Sequence, residues 1–466
     1  MNNIFVNCFF IAEKSWTKCP VGFNCAQINK QFTLYYHNSC NLIQNEQGNC
    51  FVLGIVEEGD ELKKPLIEQI DDANLLTLPQ KLTETWIGGF VLVTKNYLIT
   101  DVWGQQTIYF KCKTQSPFIF SSTPELLNWL LGNKAVEIDI GRNFNFEYDI
   151  QALKPECLFN LNTLKLQQYI KYDNHVVEKF DIDYFHKLIL TAFQRLEKTG
   201  HFFVIPLTGG RDSRLSLSVA LKACLKDIST FTFVKPFYYS DAADILTPFI
   251  ISKFFKVPHK FIFKSQFSPD TLKYSKFHTN FTIEGNKPGG FHYYQSYGYY
   301  NKLGTTNNGK VIVSSLYYDL IEATYAKGKA TAAYLNASGF NITEHTLDEM
   351  YKRLVSIFPD CSISKLSLQG TIYWAVKQIV LNRTISSQAQ TGFNVFCPGV
   401  CQYSFKNSVN LCINKQTNAF VHKSIISKYS RMLAHLPYKL PIRSINYYIQ
   451  GFLKFIKLIA YKYGQI

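Results

Sequence analysis

Thr208-Gly209-Gly210-Arg211-Asp212-Ser213 gathers two hydroxyls, two glycines and a carboxylate into one short stretch, directly after the apolar run Phe202 to Leu207. Behind it, Leu215, Leu217, Val219, Leu221, Cys224 and Leu225 recur at helical spacing. Strand, glycine turn and helix together outline an anion site. Glycines let the backbone approach a ligand closely, and the N–H groups of a helix start point at whatever anion sits there. Thr208 and Ser213 add hydroxyl donors, and Asp212 a carboxylate able to hold Mg²⁺ against phosphate oxygens. The Gly-Lys-Ser/Thr ending of a Walker-type loop is missing.

The stretch resembles the Ser-Gly-Gly-x-Asp-Ser signature of the PP-loop ATP pyrophosphatases, with Thr208 in place of the first Ser. That resemblance implies ATP as cofactor, cleavage between the α- and β-phosphates, an adenylated intermediate and released pyrophosphate. A second stretch, Ser314-Ser315-Leu316-Tyr317-Tyr318-Asp319 through Glu322 to Tyr325, follows the apolar run Lys310 to Val313. It is similar to the Ser-Gly-x-Gly-x-Asp-Glu signature of asparagine synthetases, with Ser314, Asp319 and Tyr325 on matching positions. The likeness implies Mg²⁺ shared between Asp212 and Asp319, carboxylates at the ends of two strands of a parallel sheet. The signature glycines are absent, and Leu316 stands where asparagine synthetases carry a catalytic acid; Glu322 suits either a substitute acid or a helix-surface glutamate. The resemblance further implies that Phe233 and Val234 border the adenine. It also implies a late lysine, Lys423 or Lys439, that stabilises the charge on the acyl-adenylate and pyrophosphate.

The elements that must position these groups can be read in outline. Up to about residue 140, short apolar runs alternate with turn residues: Ile4 to Ile11, Phe32 to Tyr36, Cys50 to Val56, Gly88 to Thr94 and Tyr97 to Thr100. Trp86 to Val93, Asp101-Val102-Trp103-Gly104 and Phe118 to Leu127 resemble the glutaminase half of asparagine synthetase. That half uses an amino-terminal cysteine as nucleophile, whereas this chain begins Met1-Asn2-Asn3 and its first cysteine, Cys8, lies within a strand pattern. Cys8 therefore reads as a core residue and the front half as unable to hydrolyse glutamine. Asp149 to Tyr172 reads as closing strands, Tyr184 to Lys198 as a helix, Ile228 to Val234 as a buried strand, and Asp241 to Lys256 as a helix with His259 beyond it. Asp241 suits a helix cap and a functional role equally. The Tyr- and Gly-rich segment from Gly285 to Tyr300, with His292 and Gln295, suits a substrate pocket or helix packing.

Composition bounds the reading. A chain of 466 residues exceeds one core, and 47% hydrophobic residues with 38 Phe and 29 Tyr mark a globular protein without repeats. The net charge of +15 comes from scattered Lys and Arg, which fits a polyanionic ligand and no nucleic-acid module. The 12 cysteines form no Cys-x-x-Cys pair and read as buried thiols in a reducing compartment. With no spanning run and no leader, the expected location is cytoplasmic. The tail from Tyr447 to Tyr463 is a basic amphipathic pattern, either a domain cap or a peripheral membrane contact.

The expected architecture is an α+β sandwich of the Ntn-hydrolase type over residues 1–180, then an α/β PP-loop domain with a mostly parallel sheet and a helical carboxyl-terminal part over 181–466. The expected activity is that of an ATP-dependent ligase joining a small-molecule or peptide carboxylate to an amine, a homo-oligomer being compatible with it. A nucleotide-binding descendant without catalysis is the alternative, and a PP-loop enzyme acting on RNA fits the charge but not the front half.

Overall fold

The structure, a computed structural model, describes residues 5–14, 16–70, 83–111, 118–132, 150–170, 180–234, 242–263, 310–318, 392–406 and 420–436, with 344, 348 and 352 singly. Its first strands are β1 (Phe9–Glu13), β2 (Phe23–Gln27), β3 (Phe32–His37), β4 (Leu42–Gln44), β5 (Cys50–Glu58), β6 (Trp86–Thr94) and β7 (Tyr97–Thr100). Then come β8 (Tyr109–Lys111), β9 (Ile119–Ser121), β10 (Ile150–Ala152), β11 (Cys157–Asn160) and β12 (Lys165–Gln168), with helices α1 (Leu66–Ile70) and α2 (Pro124–Leu131). They form two antiparallel six-stranded sheets, ordered β10-β8-β9-β1-β3-β2 and β12-β11-β7-β6-β5-β4.

Strand alternation sorts the side chains into layers. Phe9 and Ile11 of β1 meet Phe51 and Leu53 of β5 and Val91 and Val93 of β6 between the sheets. The alternate residues Phe10 and Ala12 pack outward on Leu126, Leu127 and Leu130 of α2. Val52, Phe90 and Leu92 pack outward on Leu66 and Ile70 of α1. Each sheet thus has a helix on its outer face.

Gly54 and Gly88 let β5 and β6 curl out of this sandwich. Their φ angles are +120° and +114°, and a Cβ on either would stand 2.3 Å from a carbonyl oxygen of the partner strand. Beyond these glycines, Ile55 and Ile87 leave the sandwich and join a second core with Val102 and Trp103.

That second core covers one face of a five-stranded, wholly parallel sheet. Helix α3 (Ile182–Glu197) leads into β13 (Phe202–Pro206), α4 (Arg211–Lys222), β14 (Ile228–Val234), α5 (Ala242–Phe255) and β15 (His259–Phe263). After these follow β16 (Lys310–Val313), β17 (Asn394–Phe396), α6 (Phe420–Tyr429) and α7 (Arg431–His435). The strand order is β15-β14-β13-β16-β17, so the winding reverses beside β13. Phe203 and Ile205 face α3, α4 and α6, while Val204, Phe231, Ile262 and Ile312 form a smaller cluster on the other face.

The sandwich and the parallel sheet share hydrogen bonds as well as a core. Gly88 N–H donates to the Val400 carbonyl at 2.8 Å, and Asn7 Nδ2 to Phe393 O at 2.8 Å. Trp103 Nε1 reaches Ser404 Oγ at 3.0 Å and Cys401 O at 3.1 Å. Among the described residues no helix is long and apolar enough to cross a membrane.

Candidate active site

Ligands of open parallel sheets sit outside the carboxyl ends of the strands, where the winding order reverses. That point lies between β13 and β16, and the stretch Thr208 to Ser213 leaves β13 there. Gly210 is the residue preceding α4 and offers no side-chain cap. Arg211, Asp212 and Ser213 form the first turn of α4, where backbone N–H groups have no intrahelical partner.

The loop ahead of them is bonded within the protein. Thr208 N–H donates to Ser213 Oγ at 3.1 Å, Gly210 N–H to Thr208 Oγ1 at 3.0 Å, and Gly209 N–H to Asp244 Oδ1 of α5 at 2.9 Å. The two hydroxyls expected to face a ligand thus brace the turn, 3.3 Å from each other. Asp244 is a loop partner that the sequence reading did not single out; its only sign was a carboxylate near a helix start following β14.

Arg214 is wholly buried and binds carbonyls on both sides of the site. One terminal nitrogen donates to Gly209 O at 2.7 Å, the other to Leu433 O at 3.2 Å and Leu436 O at 2.9 Å. Ser216 Oγ lies 2.8 Å from Ser315 Oγ, tying α4 to the segment after β16. Ser314 is buried, its N–H bonded to Phe396 O at 2.8 Å. Tyr317 and Tyr318 are buried too, and burial pushes both phenols well above their ordinary range. Leu316 is half-buried against the second core.

Asp212 keeps 39% of its side chain exposed while its Oδ1 lies 2.6 Å from Nε2 of the buried His422 on α6. Neighbouring Lys423 is exposed. Phe233 and Val234 are half-buried at the carboxyl end of β14, just past Thr232, whose Oγ1 donates to Leu207 O at 2.6 Å where the loop begins. His259 sits at the opposite, amino end of β15, its Nδ1 2.8 Å from Thr230 Oγ1, and burial lowers it to about 4. The structure therefore brings Thr208 to Ser213, Asp212, Ser314 and the end of β14 to one sheet edge, and His259 elsewhere. Asp241, Asp319, Glu322, Lys439, the Gly285 to Tyr300 segment and the basic tail lie outside the described residues. Among the described residues no group of three or more His, Cys, Asp or Glu is arranged to hold a metal ion.

In the front sandwich, Cys8 is 1% exposed and its thiol points to Val6 O at 3.4 Å. The nine described cysteines are free thiols, but Cys19, Cys25 and Cys224 are exposed, which corrects the expectation of uniform burial. Asp101 of the Asp-x-x-Gly turn accepts N–H bonds from Phe90, Trp103, Gln105 and Gln106. Burial pushes it up to about 7 against the pull of those bonds. Its geometry is that of a turn clasp.

No protein-family model matches the chain, and no curated protein matches it either. Among solved structures it is similar to a glutamine-dependent NAD+ synthetase from Acinetobacter baumannii in complex with adenosine diphosphate, at 12% identity and a TM-score of 0.24. The overlap covers 46% of this chain and 39% of that one, well under two thirds of the synthetase's own length. A likeness so slight carries no argument, and the reading of the site rests on its own residues.

Proposed function

We propose that the chain is an ATP-dependent carbon–nitrogen ligase of the asparagine synthetase type. In this reading ATP lies on the first turn of α4 and adenine against Phe233 and Val234. A substrate carboxylate oxygen attacks the α-phosphorus, the bond to the β-phosphate breaks and pyrophosphate leaves. An amine nitrogen or ammonia then attacks the acyl carbon, AMP departs with the carboxylate oxygen, and the amine sheds a proton. Mg²⁺ is the cofactor of this reading and would neutralise phosphate charge when bound. The reachable carboxylate of Asp212 fits a hard, oxygen-seeking cation, with Asp319 proposed as its second ligand. Residues 1–180 would form an amidotransferase-like domain of the Ntn type that serves structure, since Cys8 is sealed in its core.

The observation that carries the reading is the glycine turn leaving β13 beside the point where the winding of a fully parallel sheet reverses. Carboxylate-dependent exchange of labelled pyrophosphate into ATP tests it. Exchange with at least one carboxylate, falling by about 100-fold or more in Asp212→Ala, is expected from loss of a group that acts on transition-state charge. Nucleotide binding with no exchange for any carboxylate would sink the ligase.

A second reading, a nucleotide-binding protein without catalysis, is favoured by the segment after β16. Ser314, Tyr317 and Tyr318 there are buried, and Leu316 packs against the core where the resemblance expects an acid. Calorimetric titration with Mg-ATP, for the native chain and Asp212→Ala, separates a binder from a protein that holds no nucleotide.

A further inference from the structure

The parallel sheet carries a second concavity, at the edge away from the glycine turn. Residues paired across parallel strands have their side chains on one face, and strand alternation returns every second residue to it. Val204 pairs with Ser229 and Ile312, Phe231 with Lys260, and Phe202 with Lys310. Phe202, Ser229, Phe231, Lys260 and Lys310 therefore share the face of Val204, opposite the one that α3, α4 and α6 cover. Phe202 and Lys310 open their strands, and Ser229 and Lys260 stand second in theirs. The group thus lies at the amino ends, whereas Thr208 to Ser213 leave the carboxyl end of β13.

These side chains line a cavity of about 240 Å³. Its apolar part is aromatic: Phe231 and Phe393, the latter just ahead of β17, are 1% and 0% exposed. Its polar part is cationic, with Lys310 and the Ser229 hydroxyl half-buried and Lys260 exposed. No Asp or Glu lines it, and Asp227, just ahead of β14, is exposed and not among the lining residues. No ion pair to either lysine occurs among the described residues. His259 adds no charge at neutral pH, since its ring is turned to the Thr230 and Thr232 hydroxyls and burial lowers it to about 4. Small-molecule sites are mostly apolar with a few placed polar groups, and drug-sized ligands need ~300–1,000 Å³. This cavity is smaller and suits a body of one or two rings. Buried phenyl rings favour a flat aromatic, and lysines with no acid beside them favour an anion.

We infer that this cavity is a second ligand site, for a small aromatic carboxylate whose ring lies against Phe231 and Phe393 and whose acid group meets Lys310. Lys310 is the anchor because it is half-buried, and an exposed cation such as Lys260 gains little from pairing. The site does not depend on nucleotide binding. It meets β13 and β14 at the ends opposite those that carry the glycine turn and Phe233.

Naphthalene-2-carboxylate is the probe, titrated against the full-length chain by ligand-observed nuclear magnetic resonance, with naphthalene-2-carboxamide as its uncharged twin. The acid should bind with a Kd of ~1 mM or tighter, the range of a ligand of this size, and the amide ~10-fold more weakly for want of a charge-assisted bond. Lys310→Met should bring the two compounds within ~2-fold of each other, and Lys260→Met should keep most of the difference. Ser229→Phe, which fills the cavity, should abolish binding of both. Asp212→Ala, at the other edge of the sheet, should bind the acid as the native chain does. If Ser229→Phe does not fold, Ser229→Leu replaces it, and the comparison of acid with amide needs no variant. No binding to the native chain at ~5 mM acid, equal affinity for acid and amide, a preference kept in Lys310→Met, or full binding in the filled variant would each overturn the inference.

Discussion

Arg214 carries a full charge with no exposure, a placement tolerated only when its donors are matched. Replacing it by Met keeps much of the volume but leaves three carbonyls from two distant segments without their donor. A loss of about 3 kcal/mol in urea-monitored stability is expected, with weaker Mg-ATP binding because the loop and α7 part. His259 gives a prediction in pH. Its folded value of about 4 lies below the ordinary 6.5, so the unfolded chain takes up a proton first on acidification. Its contribution is intact above about 6.5 and is lost as pH falls toward 4. Urea titrations at pH 7 and pH 4.5 should show a smaller acid loss in His259→Gln than in the native chain. The glycine turn was legible because its residue types are rare and local. Asp244, His422 and the carbonyls that hold Arg214 were not, since each partner comes from another element and no spacing announces it.

At the scale of elements, local pattern served well where it was strong. The strand Ile228–Val234 has the limits its apolar run predicts. The helix expected from Tyr184 begins at Ile182, because Asp181 accepts N–H bonds from Asp183 and Tyr184 and starts it earlier. The strand expected from Ile4 begins only at Phe9, after Asn7 with a φ of +53°. What alternation could not show is that β5 and β6 serve two cores, since Ile55 and Ile87 are as apolar as their neighbours inside the sandwich. Gly88→Ala tests the bend: a Cβ there meets Ile55 O at 2.3 Å in a conformation side chains avoid. The substitution should cost at least about 2 kcal/mol by thermal or chemical unfolding, although the N–H bond to Val400 is chemically retained.

For the molecule as a whole, Trp103 is one of the residues that join the sandwich to the parallel sheet. It is fully buried, stacks edge-on against Tyr317 and Phe405, and donates its indole hydrogen across the junction. Trp103→Ala should lower stability by about 3–5 kcal/mol and split one unfolding transition into two, seen by comparing circular dichroism with tyrosine fluorescence. Length announced more than one core but not how they join. The contacts between Phe393 and Val400 and the first strands also set an order of events during synthesis. The sandwich emerges from the ribosome first, and β16 follows with one edge still waiting for β17. Until residues 394–396 arrive to pair with β16 and dock beside β5, a parallel strand edge stands open to other nascent chains. A translational pause within the long stretch between β16 and β17 would prolong that exposure.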